Sequence, residues 1–394
     1  MNIMDSRKIL MIPGPSEVDP EVLSVMARPV LPHYGSEWGQ IHVETCNKLK
    51  RIFNTNQSVL LLPGPGNAAI DLAVGNLVEP GDKALNVLNG FFGGVFHSSI
   101  EMHGGKSIDI KADIGKAVSP DEIRHKLSEE RDIKAVFAVH SETSTGVLNP
   151  VKEIGEICRE FDVLYVVDTI SSFSGIEVRM DDWNIDICIG YASKALGSVN
   201  GVVPVAISDR AWKVALHRRT PMRARFLNLQ VWKKFIDEWG SWGHPFPSSM
   251  PCSVILALKR ATELALEEGL ENRYRRHYIA GKATRDGLRN LGFQIVPKEE
   301  EASSTITAAR VPSDVDIGKL KGILNERFDI LIAEMGALTG VKGIRIGHMG
   351  VTASVMYVIP TIAAIEVALA ELGVDVKPGS GVAAAMDVFE KQYR

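Results

Sequence analysis

A lysine and an aspartate each follow an apolar run of this sequence. Asp168 comes directly after residues 163–167, and residues 185–189 lead into a short loop that carries Lys194. Both residue types normally stay solvated. A shielded amine can attack carbonyl groups and carry protons, and a buried carboxylate pairs with a cation. From these residues alone, a helix-capping aspartate and an ordinary surface lysine stay open as alternatives.

A glycine-rich turn follows a third apolar run. Residues 58–62 lead into Pro-Gly-Pro-Gly-Asn-Ala-Ala at residues 63–69, which opens a helical pattern. Free backbone N–H groups and the helix dipole suit a phosphate there, although a plain tight turn is equally compatible. The turn also matches the G-x-G-x-x-A pattern of dinucleotide-binding folds. That alternative expects an acidic residue about 20 positions on, where the chain has Asn86 and Asn89, so a nicotinamide cofactor is disfavoured.

One cofactor would account for all three features. Pyridoxal phosphate needs an amine for a Schiff base, an acid that keeps its ring nitrogen protonated, and a cradle for its phosphate. Lys194, Asp168 and the turn around Gly66 would supply them in that order. Phe92, flanked by Gly90 and Gly93, could lie against the ring, although phenylalanines are more often core residues. No HExxH motif occurs, so we expect no catalytic metal.

The elements that would position these groups follow an α/β pattern. Between residues 56 and 205, short Val- and Ile-rich runs alternate with helical patterns, which predicts a mostly parallel, doubly wound sheet covered by helices. Residues 151–161 have the apolar spacing of one such helix. The expected strands are residues 58–62, 84–88, 135–139, 163–167 and 185–189.

The second half of the chain has a different pattern. A polar, Trp- and Pro-rich stretch at residues 210–251 precedes a helix at 253–268, and a smaller α+β arrangement follows. We therefore expect an N-terminal arm at residues 1–20, a large domain at 21–270 and a small C-terminal domain at 271–394. In the small domain we expect strands at 293–296, 305–311, 330–333 and 344–346, and helices at 316–328 and 356–372.

The amino-acid composition and net charge limit the classes of binding partner that we expect. The 394 residues are 45% hydrophobic and 23% charged, which is typical of a globular protein. The net charge of −4, without a basic run, argues against nucleic acid and anionic membranes, and no 18-residue apolar run occurs. Small molecules are the expected partners. Four widely spaced cysteines without a CxxC pair predict neither a disulfide scaffold nor a zinc ribbon and suit the cytoplasm.

In combination, these motifs resemble those of the class V aminotransferases of fold type I, in the branch of alanine–glyoxylate and serine–pyruvate aminotransferases. The resemblance covers nearly the whole chain and implies a large domain with a seven-stranded-type, mostly parallel sheet and a smaller C-terminal α+β domain. The matching segments are residues 11–15, 63–69, 89–93, 140–146, 167–172, 193–197 and 345–350.

The resemblance implies a role for each matching residue. Lys194 would form the Schiff base, Asp168 would pair with the ring nitrogen, and Arg345 would bind the substrate carboxylate. Other implied cofactor contacts are Gly66, Asn67, Ala68, Phe92, Thr143 and Ser193.

Several positions depart from the family pattern. Ser193 stands where relatives commonly have glutamine, and Pro65 stands where many have serine. Ser248 and Ser249 are the candidates for the tyrosine and threonine that relatives offer to the phosphate across a homodimer interface. Tyr34 and Gly35 replace a typical family segment, and we expect them to line the substrate mouth.

The resemblance implies a ping-pong transaminase that moves an amino group from a small amino acid to glyoxylate or pyruvate. The alternative is a lyase or a transaminase for an unusual amine of the ureidoglycine or pyridoxamine type, because the family also contains such members. A non-enzymatic homologue is disfavoured, since Lys194, Asp168 and Arg345 occur together.

Overall fold

The structure, a computed structural model, describes residues 8–312 and 314–393. Residues 1–7 of the expected arm lie outside this part. The strands are β1 Ile9–Leu10, β2 Ser58–Pro63, β3 Lys83–Leu88, β4 Lys106–Lys111, β5 Ile133–Val139, β6 Ser141–Glu142, β7 Val147–Leu148, β8 Leu164–Asp168, β9 Ile187–Ile189, β10 Val202–Ile207, β11 Gln294–Ile295, β12 Ile306–Arg310, β13 Ile330–Leu331, β14 Ala333–Glu334 and β15 Gly343–Gly347. The helices are α1 Pro20–Ser24, α2 Ser36–Phe53, α3 Gly66–Leu77, α4 Phe91–Met102, α5 Pro120–Glu129, α6 Val151–Glu160, α7 Asp209–Leu216, α8 Leu229–Trp239, α9 Cys252–Glu268, α10 Leu270–Asn290, α11 Ile317–Arg327, α12 Gly336–Thr339, α13 Val355–Glu371 and α14 Ser380–Tyr393.

A seven-stranded sheet forms the centre of the first part of the chain, in the order β2-β10-β9-β8-β5-β3-β4. β10 runs antiparallel to both neighbours, and the other adjacent pairs are parallel. β5, β8 and β9 are almost entirely buried, as expected of parallel strands covered on both faces. The predicted α/β fold with a mostly parallel sheet is confirmed.

A second sheet lies in the C-terminal part of the chain. It has four antiparallel strands in the order β11-β12-β15-β14. One hydrophobic cluster joins the large sheet to α2, α3, α4, α6 and α9, and another joins this smaller sheet to α10, α11, α13 and α14. Gly269, with φ at 82°, separates α9 from α10. The division at residue 270 stays a prediction.

Several elements differ from expectation. The polar stretch at 210–251 contains α8 and most of α7, whose few buried apolar residues did not produce an obvious pattern. The expected strand at 330–333 is two short strands, because β13 pairs with β1 while β14 pairs with β15. The arm is thus anchored by a strand pair rather than merely extended. None of the helices in the described ranges is both long and apolar enough to traverse a lipid bilayer.

Candidate active site

Lys194 lies in the turn after β9, beside the N-terminal arm. Its Nζ donates a hydrogen bond to the carbonyl oxygen of Pro13. Gly14 has φ at 113°, a conformation that other residues rarely adopt, and a Cβ here would also lie 2.6 Å from the lysine Cδ, so the position favours glycine. The pKa of the Lys194 amine is lowered to about 8, chiefly by burial; the positive charge of Arg345 contributes to this lowering, and the carboxylate of Asp168 opposes it. The side chain is therefore more easily deprotonated than an ordinary lysine.

Asp168 ends β8 with only 3% of its surface exposed. Its Oδ1 accepts a hydrogen bond from the N–H of Ile170 at 2.7 Å. A turn rather than a helix follows, so the helix-capping interpretation is wrong. Burial raises the pKa of the Asp168 carboxyl to about 7, and the negative charge of Glu142 adds to this rise while the amine of Lys194 opposes it. A bound cation would relieve this burial cost.

Glu142 fixes the start of α4 and with it the backbone of Phe92. The carboxylate is fully buried, and its Oε2 accepts from the N–H groups of Phe92 at 3.0 Å and Gly93 at 3.1 Å. A Cβ on Gly90 would lie 2.3 Å from the glutamate Cγ, so the turn needs glycine. The phenylalanine ring is half-buried. Glu142 lies in the matching segment 140–146, but the sequence predicts no contact with α4 for it.

The turn around Gly66 begins α3. In the described part of the chain, the N–H groups of Gly66 and Asn67 make no hydrogen bond, whereas the N–H of Ala68 donates to the carbonyl of Pro65 at 2.9 Å. The N–H of Gly64 donates to the carbonyl of Gly201 at 2.9 Å. Two free N–H groups at the start of a 12-residue helix suit an anion. Ala68, expected to contribute as well, has its amide already occupied.

Arg345 reaches the same edge of the large sheet from β15. Its Nη1 donates to the carbonyl of Thr143 at 3.2 Å and its Nε to that of Glu334 at 3.1 Å. Among the described residues it forms no salt bridge and its Nη2 has no acceptor. The Thr143 hydroxyl in turn lies 2.5 Å from that of Ser171. Arg345 is therefore not engaged in a surface ion pair with any described residue, and part of its guanidinium can bind a further acceptor.

Ser193 is buried beside the lysine, where its Oγ donates to the Asn200 side chain. Its carbonyl accepts from the N–H of Ser16 at 3.0 Å, and the Ser16 hydroxyl donates to the Lys194 carbonyl at 2.8 Å. The arm thus contacts the lysine turn through backbone and hydroxyl groups. The sequence predicts a motif at residues 11–15 of the arm but no contact for Ser16.

Four expected site residues lie apart from this group. Tyr34 is 47% exposed and stacks on Trp242 with ring centroids 5.4 Å apart. Gly35 directly precedes α2, and Ser248, which is partly buried, and Ser249, which is exposed, lie in a loop. Within the chain as described, no hydrogen bond or ring contact joins these four to the lysine or to the buried aspartate.

Known proteins similar to this chain are aminotransferases. The family model for class-V aminotransferases matches residues 21–341. The chain is 38% identical to an uncharacterized aminotransferase of Methanocaldococcus jannaschii, with 100% of each covered. The solved ureidoglycine–glyoxylate aminotransferase of Bacillus subtilis superposes with a TM-score of 0.93 at 30% identity, covering 99% of this chain and 100% of that one. The pyridoxamine–pyruvate aminotransferase of Mesorhizobium loti gives a TM-score of 0.91 at 27% identity, covering 100% and 99%. The chain belongs to the class-V aminotransferase family.

Proposed function

We propose that this protein is a pyridoxal phosphate-dependent aminotransferase that transfers an amino group from a small amino acid to glyoxylate or pyruvate. The observation that carries the proposal is the convergence of three charges at one edge of the large sheet. The amine of Lys194 interacts electrostatically with Asp168 and Arg345, which come from different elements. Similar proteins named for transfer to glyoxylate or pyruvate support the choice of acceptor.

The residues present fit the cofactor. Asp168 is a buried carboxylate whose pKa is raised to about 7, and a protonated ring nitrogen would supply the cation that it lacks. The free N–H groups of Gly66 and Asn67 would hold the phosphate, and Phe92 would lie against the ring. When bound, pyridoxal phosphate supplies an electron-withdrawing ring that stabilises negative charge on the substrate carbon.

Substrate binding and proton transfer are assigned to two residues of the chain. Arg345 binds the carboxylate of the amino acid through its free Nη2 and so orients the α-carbon. Lys194 would hold the cofactor covalently through Nζ. As a free amine it would accept the α-proton of the amino acid and later return a proton to the second oxo acid, and a pKa of about 8 suits both transfers because it lies near neutral pH.

Borohydride trapping tests the assignment of the lysine. Reduction of the holoenzyme followed by digestion should leave the cofactor on the peptide that contains Lys194. The Lys194→Ala variant should carry no label and show no turnover. Lys116→Ala, which removes a lysine with 62% exposure, is the matched control and should behave as the wild type. A label on another lysine, or turnover by Lys194→Ala, would refute the proposal.

A second candidate keeps the cofactor and changes the substrate. Tyr34 and Trp242 form an exposed stacked pair at 13° between planes, which suits a planar amine. Two of the similar structures are named for ureidoglycine and pyridoxamine. A screen of amino donors against glyoxylate and pyruvate separates these substrates. Release of free ammonia without an oxo acid would instead indicate a lyase.

We further propose a cytoplasmic homodimer. Tyr34, Gly35, Ser248 and Ser249 do not contact their own Lys194, so they would complete the site of a second copy, with the serines near its phosphate and the other two at its mouth. The four cysteines are buried free thiols, which suits a reducing compartment. Solution mass measurement of the purified protein tests the dimer.

A further inference from the structure

An arginine of α10 donates hydrogen bonds to the backbone of the turn that carries Lys194. Arg273 Nη2 donates to the carbonyl of Ala195 at 2.7 Å and to that of Leu196 at 3.1 Å. These are the two residues that follow the lysine. The turn is closed on itself by a bond of 2.9 Å from the N–H of Gly197 to the Lys194 carbonyl.

The Arg273 guanidinium is nearly completely buried, with 6% of the residue exposed. Its Nε donates to the hydroxyl of Ser174 at 3.0 Å, and its Nη1 meets Glu268 Oε2 at 2.7 Å. All three nitrogens therefore have acceptors. Burial of a charge is costly, and an arginine in this place is stabilised only by such a set of partners.

Arg273 constrains the position of the lysine turn and is not among the charges that shift the pKa of the Lys194 amine. The charges that influence the Lys194 amine are those of Arg345 and Asp168, and Arg273 meets the turn only through backbone oxygens. Movement of these carbonyls would move the Cα of the lysine and hence its Nζ. A displacement of about 1 Å at a reacting group can cost about 100-fold in rate.

We propose that Arg273 is a positioning residue that sets the orientation of Lys194 for proton transfer. The inference rests on the proposed aminotransferase function. It adds to the site a residue near the start of α10.

Arg276 provides a matched control on the same helix. It also pairs with Glu268, at 2.6 Å, but its Nη1 donates to the carbonyls of Gly350 and Ala353 instead of the lysine turn. Arg273→Ala should lower kcat about 10- to 100-fold with little change in the donor KM. Arg276→Ala should keep kcat within about threefold, while both variants lower the thermal midpoint.

Two further readouts separate positioning from a loss of stability. The visible circular dichroism of the bound cofactor should change in Arg273→Ala and not in Arg276→Ala, because it reports the orientation of the cofactor against its lysine. An open cavity of about 390 Å³ borders the buried arginine and is lined in part by Leu196, Gly197 and Arg273, so removal of the side chain would open its place to this cavity. Added guanidinium, below unfolding concentrations, should therefore restore part of the kcat of Arg273→Ala, whereas the same concentration of sodium chloride should not.

The outcomes distinguish this inference from the proposed function. An unlabelled Lys194 in the wild-type borohydride experiment would overturn the function. A labelled, active wild type combined with an Arg273→Ala variant of normal kcat and unchanged dichroism would overturn only the positioning role. If Arg273→Ala does not fold, Arg273→Lys is measured instead; it should lower kcat without raising KM, and wild-type kcat in that variant would equally overturn the role.

Discussion

Substitution of Asp168 by asparagine should stabilise the cofactor-free protein at neutral and alkaline pH. The folded protein keeps this carboxyl protonated up to a pKa of about 7, against an ordinary value of 3.8, because the group is buried. The wild type therefore loses stability as the pH rises between these values, since unfolding releases the carboxyl to ionise in water. The full difference is worth about 4 kcal/mol. Asparagine keeps an oxygen for the N–H of Ile170 and does not titrate.

Denaturant unfolding of the cofactor-free proteins at pH 4 and pH 8 measures this effect. Asp168→Asn should be more stable than the wild type by up to about 4 kcal/mol at pH 8 and by little at pH 4. Saturating pyridoxal phosphate should reverse the order at pH 8, because only the carboxylate pairs with a protonated ring nitrogen. The equilibrium affinity for the cofactor should fall correspondingly.

Asp186→Asn is the control for this experiment. Asp186 is also a buried carboxyl, but it precedes β9 and accepts from the N–H of Tyr165 at 2.9 Å and the hydroxyl of Ser208 at 2.8 Å. Its substitution should have the same effect on stability with and without cofactor. An Asp168→Asn variant that gains no stability at pH 8, or that binds cofactor as tightly as the wild type, would refute the reasoning about this carboxylate.

Two other predictions concern α4 and the lysine. A Cβ on Gly94 would meet nothing closer than 3.9 Å, whereas one on Gly93 would lie 2.6 Å from the Val87 carbonyl oxygen. Denaturant unfolding should therefore show Gly94→Ala more stable by about 0.5–1 kcal/mol and Gly93→Ala less stable by about 1–3 kcal/mol; shifts of the same sign would contradict the packing. The rate of covalent cofactor attachment should rise with pH to a midpoint near the Lys194 pKa of about 8. Arg345→Gln should move that midpoint upward, because it removes a positive charge, and a wild-type midpoint near 10 would contradict the lowered pKa.

Hydrophobic patterning was sufficient to predict the centre of the large sheet. The runs at 135–139 and 163–167 are apolar on both faces, which favours parallel strands beneath helices, and β5 and β8 occupy these positions. The same reasoning missed α8, because only Leu229 and Trp232 are buried there and the exposed Trp239 interrupts the apolar pattern. It also missed α14, whose small residues have little pattern.

The sequence by itself determined which residue types end the buried strands, because the order of apolar and polar residues along each strand is local information. The lysine, the aspartate and the glycine-rich turn were identified in this way. Only the tertiary structure decided how distant segments meet. Pro13 contacts Lys194 across 181 positions, and Arg273 reaches the lysine turn across 77 and 78. Such contacts depend on where helices and arms lie after packing, and no local pattern of side chains encodes that placement.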